Sequence, residues 1–157
     1  MLIDASTPGA LDDPDALPLS LIARPLGFRT NNVAEYAGTV LALREARRLG
    51  ATEVDLRLDS KLIVEQLNGR WRVKDAKLKG LFAEAREHLA ALHRWSAIHE
   101  PRARNRAADA LANLALDDPV AAARLERDAQ ARAAALVGIA VPGPGDISDA
   151  ATELPEG

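Results

Sequence analysis

The chain of 157 residues contains no cysteine, one methionine and only 3% aromatic residues. Without cysteine it cannot form a disulfide, a thiol nucleophile or a cysteine-rich zinc site. Histidine is also scarce, since the sequence contains only His88, His93 and His99. Any chemistry must therefore depend on carboxylates, hydroxyls and a few bases.

Long hydrophobic runs are absent as well. No segment approaches the roughly eighteen consecutive apolar residues that a membrane span requires. The N-terminal residues Met1 to Asp4 lack the basic lead and apolar core of a signal peptide. We therefore expect a cytoplasmic protein that does not associate with membranes.

Charge is distributed unevenly along the chain. The net charge is −3, and both ends are acidic, but residues 57–106 carry twelve Lys and Arg against six Asp and Glu. Such a basic stretch could contact a phosphate backbone. It could equally be a solvated helix face of mixed charge, so charge alone does not decide between them.

Periodicity predicts a mixed α/β domain. Alternating residues indicate strands at residues 54–58 and 95–99, with further strands at residues 17–23 and 1–3 separated by a turn-rich loop. Apolar spacing predicts helices from Val33 to a stop at Gly50, from a cap at Ser60 through Leu67, over residues 78–92 and after Asn105. Asn68 and Gly69 close the second of these helices. We assign residues 1–117 to this domain and residues 118–157 to an Ala-rich helix followed by a disordered acidic Pro/Gly tail.

Three acids lie near the ends of these elements, namely Glu35, Asp59 and Asp109. Each has a structural explanation. Glu35 follows Asn32 by three residues, as in a capping box. Asp59 could begin the next helix, and Asp109 could interact with a helix N-terminal dipole. Taken singly, these positions favour the structural explanation.

Three ordered motifs contain these acids: TNNVAEY at residues 30–36, LDSKLIVEQLNGRW at 58–71 and PRARNRAADALAN at 101–113. Together they resemble type 1 ribonuclease H domains, most closely the bacterial branch described as reverse-transcriptase-like or fused to a phosphatase. The resemblance covers about residues 17–117. It implies a ribonuclease H-like mixed sheet of five strands flanked by helices.

The resemblance also implies an activity. Ribonuclease H enzymes cut the RNA strand of RNA–DNA hybrids with two Mg²⁺ ions held by four carboxylates, and Mn²⁺ is a possible substitute. Glu35, Asp59 and Asp109 match the second, third and fourth of these metal ligands. We expect the chain to act as a monomer.

Substrate contacts follow from the same motifs. Asn31 and Asn32 match the pair that reads the RNA strand, and Thr30 matches a residue near the DNA phosphate; helix capping is the alternative role for this group. Trp71 matches an aromatic residue against the DNA backbone, with packing as its alternative. His99 does not match a catalytic histidine and is interpreted as structural.

The family's first strand, with its catalytic Asp, has no counterpart in the sequence. We therefore expect a fold that is truncated at its N-terminus. Asp4 resembles a replacement only superficially. Two alternatives follow: a catalytically impaired nucleic-acid-binding remnant, or a fragment that a strand from another chain completes.

Overall fold

The structure of the protein, a computed structural model, describes residues 18, 20–22 and 30–137. These residues belong to two compact units, one of residues 30–106 and one of residues 18, 20–22 and 107–137. The predicted strand at residues 1–3 and the tail beyond residue 137 lie outside the described residues. So do residues 17, 19 and 23 of the predicted strand at residues 17–23.

Helix α1 spans Asn31–Arg48 and opens the first unit. The Thr30 hydroxyl accepts a hydrogen bond from the Val33 N–H at 3.4 Å and caps the helix. The helix ends at Arg48, and Gly50 follows the C-cap Leu49 with a φ of 81°, which only glycine adopts readily. Tyr36, Ala37, Val40 and Leu43 of the predicted apolar face are buried, whereas Leu41 is only partly buried. Both the helix and its stop at Gly50 are confirmed.

Strands β1, Glu53–Leu58, and β2, Arg94–His99, pair in parallel. Their register places Leu56 beside Ala97 on the buried face. On the opposite face the Glu53 carboxylate accepts from the Arg94 guanidinium at 2.5 Å. Alternation thus buries one face and leaves ion pairs on the other. Both predicted strands are confirmed.

Parallel strands require a crossover, and two helices supply it. Helix α2 spans Lys61–Leu67 and helix α3 spans Ala76–Ala90. Ser60 caps α2, as the sequence predicted, and Gly69 follows its end with a φ of 76°. Helix α3 packs against α1, so the three helices enclose one apolar core with the sheet. The buried members of this core are Val33, Tyr36, Ala37, Val40, Leu43, Leu56, Ile63, Leu67, Leu78, Leu81, Ala85, Leu89 and Ala97.

The last two helices follow a short 3₁₀ turn at Arg102–Arg104. Helix α4 spans Arg106–Asp117 and helix α5 spans Pro119–Val137, where the composition favoured an Ala-rich helix. The Asp118 carboxylate between them accepts from the Ala121 N–H at 3.0 Å. None of the described helices combines the length and apolar character needed to cross a membrane. The predicted domain boundary after residue 117 stays a prediction.

Candidate functional site

The N-terminus of α1 presents two amide side chains to solvent. Asn31 and Asn32 are the first two residues of the helix, and both are exposed. The capping oxygen comes from Thr30 and not from either asparagine. The capping alternative for Asn31 and Asn32 is therefore wrong, and their side chains are accessible to a ligand.

Glu35 lies in the second turn of α1, because the helix begins at Asn31. A capping box needs the acid three residues after the cap, whereas Glu35 is five residues after Thr30. The structural explanation from the sequence is therefore wrong. Glu35 is partly buried as a residue, and its carboxylate makes no ion pair or hydrogen bond with any residue from 30 to 137.

Asp59 follows the last residue of β1, at the carboxyl end of the parallel sheet. The next helix takes its cap from Ser60, whose hydroxyl accepts from the Ile63 N–H at 3.5 Å. Asp59 is thus not needed to begin α2. Like Glu35, Asp59 is partly buried, and its carboxylate lacks a side-chain partner in the described part of the chain.

His99 ends β2 beside this turn. Its Nε2 lies 3.2 Å from the backbone carbonyl oxygen of Asp59, an acceptor, so Nε2 carries the proton and donates. The adjacent Glu100 N–H donates to the Leu58 carbonyl at 2.8 Å. These bonds hold the ends of the two strands together, which agrees with the structural interpretation of His99.

Asp109 lies in the first turn of α4, as expected for an acid that favours a helix N-terminus. It belongs to the second compact unit, whereas Glu35 and Asp59 belong to the first. Within residues 30–106, no three His, Asp or Glu side chains form a group that could hold a metal ion by themselves. Asp4 lies outside the described residues. Joint metal binding by Glu35, Asp59 and Asp109 therefore stays a prediction.

Residues 69–74, which we call the basic segment, follow α2. Trp71 is 48% exposed, which argues against packing as its main role. Arg72 and Lys74 are exposed, and neither has an ion-pair partner in the described residues. Arg70 differs, because its guanidinium donates to both carboxylate oxygens of Glu65, at 2.5 and 3.0 Å. Only part of the predicted positive charge is therefore available to a phosphate backbone.

The hydrogen bond from Arg70 holds the pKa of the Glu65 carboxyl below its ordinary value. The same bond raises the pKa of Arg70. Burial raises the pKa of the Tyr36 hydroxyl well above its ordinary value. Glu65, Arg70 and Tyr36 therefore all have hydrogen-bond partners within the fold.

Sequence reasoning missed one polar pair behind the site. The Tyr36 hydroxyl donates to the Gln66 Oε1 at 2.7 Å, and both side chains are buried. A signal existed, because Gln66 stands among apolar residues on the buried side of α2. A polar residue in such a position usually has an internal partner.

Comparisons with known proteins give a consistent result. The model of a family described as reverse transcriptase-like matches residues 5–115. The chain is 45% identical over 103 residues to the bifunctional protein Rv2228c of Mycobacterium tuberculosis, which covers 66% of this chain and 28% of that protein. It is 46% identical over 93 residues to ribonuclease HI of Halobacterium salinarum, covering 59% of this chain and 47% of that enzyme. The chain thus spans less than half the length of these relatives.

Solved structures agree. The N-terminal ribonuclease H domain of Rv2228c matches with a TM-score of 0.55 and 48% identity, over 60% of this chain and 66% of that one. LC11-RNase H1, solved in complex with an RNA/DNA hybrid, matches with a TM-score of 0.56 and 36% identity, over 60% of this chain and 72% of that one. The predicted ribonuclease H-like α/β fold is confirmed.

Proposed function

Because this chain belongs to the reverse transcriptase-like family of ribonuclease H-like domains, we propose that it hydrolyses the RNA strand of RNA–DNA hybrids. The observation that carries the proposal is that two acids in these motifs have no internal partner. Glu35 and Asp59 are partly buried acids without a partner among the described residues, and both lie in the motifs that resemble the family's. A partly buried charge without a partner is costly, and a bound cation is a common reason for its presence.

The donor chemistry fits a divalent metal ion, as ribonuclease H enzymes generally use. Carboxylate oxygens are the ligands that Mg²⁺ prefers, and Mg²⁺ keeps several waters and binds substrate phosphates. We propose that Glu35 and Asp59, with Asp109, hold Mg²⁺, with Mn²⁺ as a possible substitute. When bound, such ions activate a water and neutralise charge on the leaving oxygen.

The substrate would lie along the exposed polar surface of the first unit. We propose that the amides of Asn31 and Asn32 contact base edges and 2′-hydroxyls of the RNA strand, groups that distinguish RNA from DNA. The Thr30 oxygen accepts from the backbone, which leaves its hydroxyl proton for a phosphate. Trp71 would lie against the DNA strand, with Arg72 and Lys74 supplying charge.

Other assignments remain proposals of the same kind. We propose that the chain acts as a monomer in the cytoplasm. We also propose that residues 1–117 form the ribonuclease H-like domain and that residues 118–157 lie outside it.

The experiment measures cleavage of an end-labelled RNA–DNA hybrid as Mg²⁺ is added to the wild-type chain, Asp59→Asn and the matched control Glu87→Gln. Glu87 is an exposed acid on α3 outside the motifs. We expect metal-dependent cleavage by the wild type and Glu87→Gln, and its loss in Asp59→Asn. Equal cleavage by Asp59→Asn would overturn the site.

A further result would decide between the enzyme and the binding remnant. If the wild type and Asp59→Asn both bind the hybrid but neither cuts it, the chain is a nucleic-acid-binding remnant. Gel-shift titration with the uncleaved hybrid, run beside duplex DNA of the same sequence, gives this measurement.

A further inference from the structure

A buried polar relay connects α1 to the basic segment. The Tyr36 hydroxyl donates to the Gln66 Oε1 at 2.7 Å, and the Gln66 Nε2 donates to the Arg72 carbonyl oxygen at 3.3 Å. Tyr36 is 0% exposed and Gln66 is 3% exposed. The relay thus crosses the core from the helix that carries Glu35 to the residue after Trp71.

The chemistry of the partners fixes the direction of the relay. A backbone carbonyl can only accept, so the amide nitrogen of Gln66 must face Arg72. The amide oxygen then faces Tyr36, and the phenol donates to it. Burial, which keeps the Tyr36 hydroxyl protonated, favours this arrangement.

Before Arg72, the chain is tied to α2 by its own backbone. The Gly69 N–H donates to the Gln66 carbonyl at 3.0 Å, and the Arg70 and Trp71 N–H groups donate to the Glu65 carbonyl at 2.9 and 3.1 Å. These bonds end at Trp71. The Gln66 side chain provides the next hydrogen bond along the segment, and Val73 then packs partly against the core.

We infer that Gln66 is a positioning residue for hybrid binding, which holds the backbone at Arg72 so that Trp71 and Arg72 face the nucleic acid together. The inference rests on the proposed function. Gln66 itself is buried and does not touch the substrate. Its effect is conformational: without the amide, the segment after Trp71 loses a fixed point, and binding must then order it at a cost.

The test compares Gln66→Met with Tyr36→Phe in the full chain. Gln66→Met keeps the length of the side chain and removes both hydrogen bonds, whereas Tyr36→Phe removes the first bond and leaves Gln66 bound to Arg72. Both variants should lose stability. We expect Gln66→Met alone to raise KM for the hybrid roughly five- to tenfold, with kcat changed less than about twofold.

A second measurement needs no substrate. Trypsin cuts after Arg72 and Lys74 only when the segment opens locally, so the nicking rate reports how firmly it is held. We expect Gln66→Met to nick there about fivefold faster than Tyr36→Phe. If the two variants nick at the same rate and have the same KM, the inference is overturned.

The two readouts separate this inference from the proposed function. If the wild type does not bind the hybrid, the proposed function fails, and the role in hybrid binding fails with it, whereas the nicking rates still decide whether Gln66 holds the segment. If Gln66→Met does not fold, Gln66→Asn replaces it, because its amide is one methylene shorter and cannot bridge Tyr36 and Arg72. Unchanged KM and nicking in that variant would also contradict the inference.

Discussion

The partly buried acids of residues 30–106 divide into two groups. Four of them are in ion pairs: Glu45 with Arg48, Glu65 with Arg70, Glu84 with Arg44, and Glu100 with Arg57 and Arg104. Glu35 and Asp59 are also partly buried, and they have no such partner in the described residues. The first group satisfies its charge within the fold, whereas the second consists of two of the acids that we propose as metal ligands.

Neutralising one acid from each group tests this difference, and the acid without a partner should give the largest effect. Glu35→Gln should reduce hybrid cleavage at least about a hundredfold, because it would remove a proposed metal ligand, and a bound metal stabilises transition-state charge by several kcal/mol. It should not lower the free energy of unfolding, since no internal bond is lost. Initial cleavage rates and urea titrations test this. A stability loss above about 1 kcal/mol would place Glu35 with the acids that satisfy their charge within the fold.

The next largest effect concerns a polar group with an internal partner, the Tyr36 hydroxyl. Burial raises its pKa above the ordinary value of 10.0, so the folded state binds the proton more tightly than the unfolded state. Its contribution is therefore complete below pH 10 and is lost as the pH rises above it, by up to about 1.4 kcal/mol per pH unit. Urea titrations from pH 9 to 11 should show this slope in the wild type.

Tyr36→Phe provides the control for that slope. The chain has one tyrosine, so phenolate absorbance reports Tyr36 alone. The difference between the two proteins should vanish as the pH rises. Ionisation near pH 10 in the folded wild type would contradict the prediction.

The same comparison extends to the cations of the basic segment. Arg72 has no described ion-pair partner, whereas Arg70 is held by Glu65. Arg72→Gln should weaken hybrid binding about five- to tenfold and lower the salt slope of the affinity by about one, as for a lost phosphate contact. Arg70→Gln should change the slope by less than half as much. Equal slopes for the two variants would show that the ion pair opens on binding.

The smallest effect should come from the paired acid between α1 and α3. The guanidinium of Arg44 contacts the Glu84 carboxylate, and both side chains are about a quarter exposed. Glu84→Gln should cost roughly 0.5–1 kcal/mol of stability, as for other partly exposed pairs. Hybrid cleavage should remain at the wild-type rate, measured beside Glu35→Gln. Loss of cleavage in a folded Glu84→Gln would remove the distinction between the two groups of acids.

Local pattern was sufficient for most elements of the first unit. The alternation around Leu56, the stop at Gly50 and the cap at Ser60 each depend on residues close in sequence, and all three are confirmed. The cap of α1 was misassigned to Asn32, because Thr30 and Asn32 are both good capping residues and the pattern does not decide between them.

Residues close in sequence were not sufficient to predict the contacts of the candidate site. Tyr36 and Gln66 are thirty residues apart, and nothing in helical periodicity indicates that they meet. The grouping of Glu35, Asp59 and Asp109 came from the resemblance to a family and not from spacing. The partners of Glu65 and Glu84 differ in the same way, since Arg70 is five residues from Glu65 whereas Arg44 is forty residues from Glu84.

The parallel pairing of β1 and β2 has a consequence for folding during synthesis on the ribosome. Glu53 pairs with Arg94, forty-one residues later, so β1 emerges well before its neighbour exists. At about 5–20 residues per second, translation leaves β1 without β2 for roughly 2–8 seconds. During that interval the edge of β1 that later pairs with β2 is open to other chains, so a longer delay between the two strands should increase aggregation of the newly made protein.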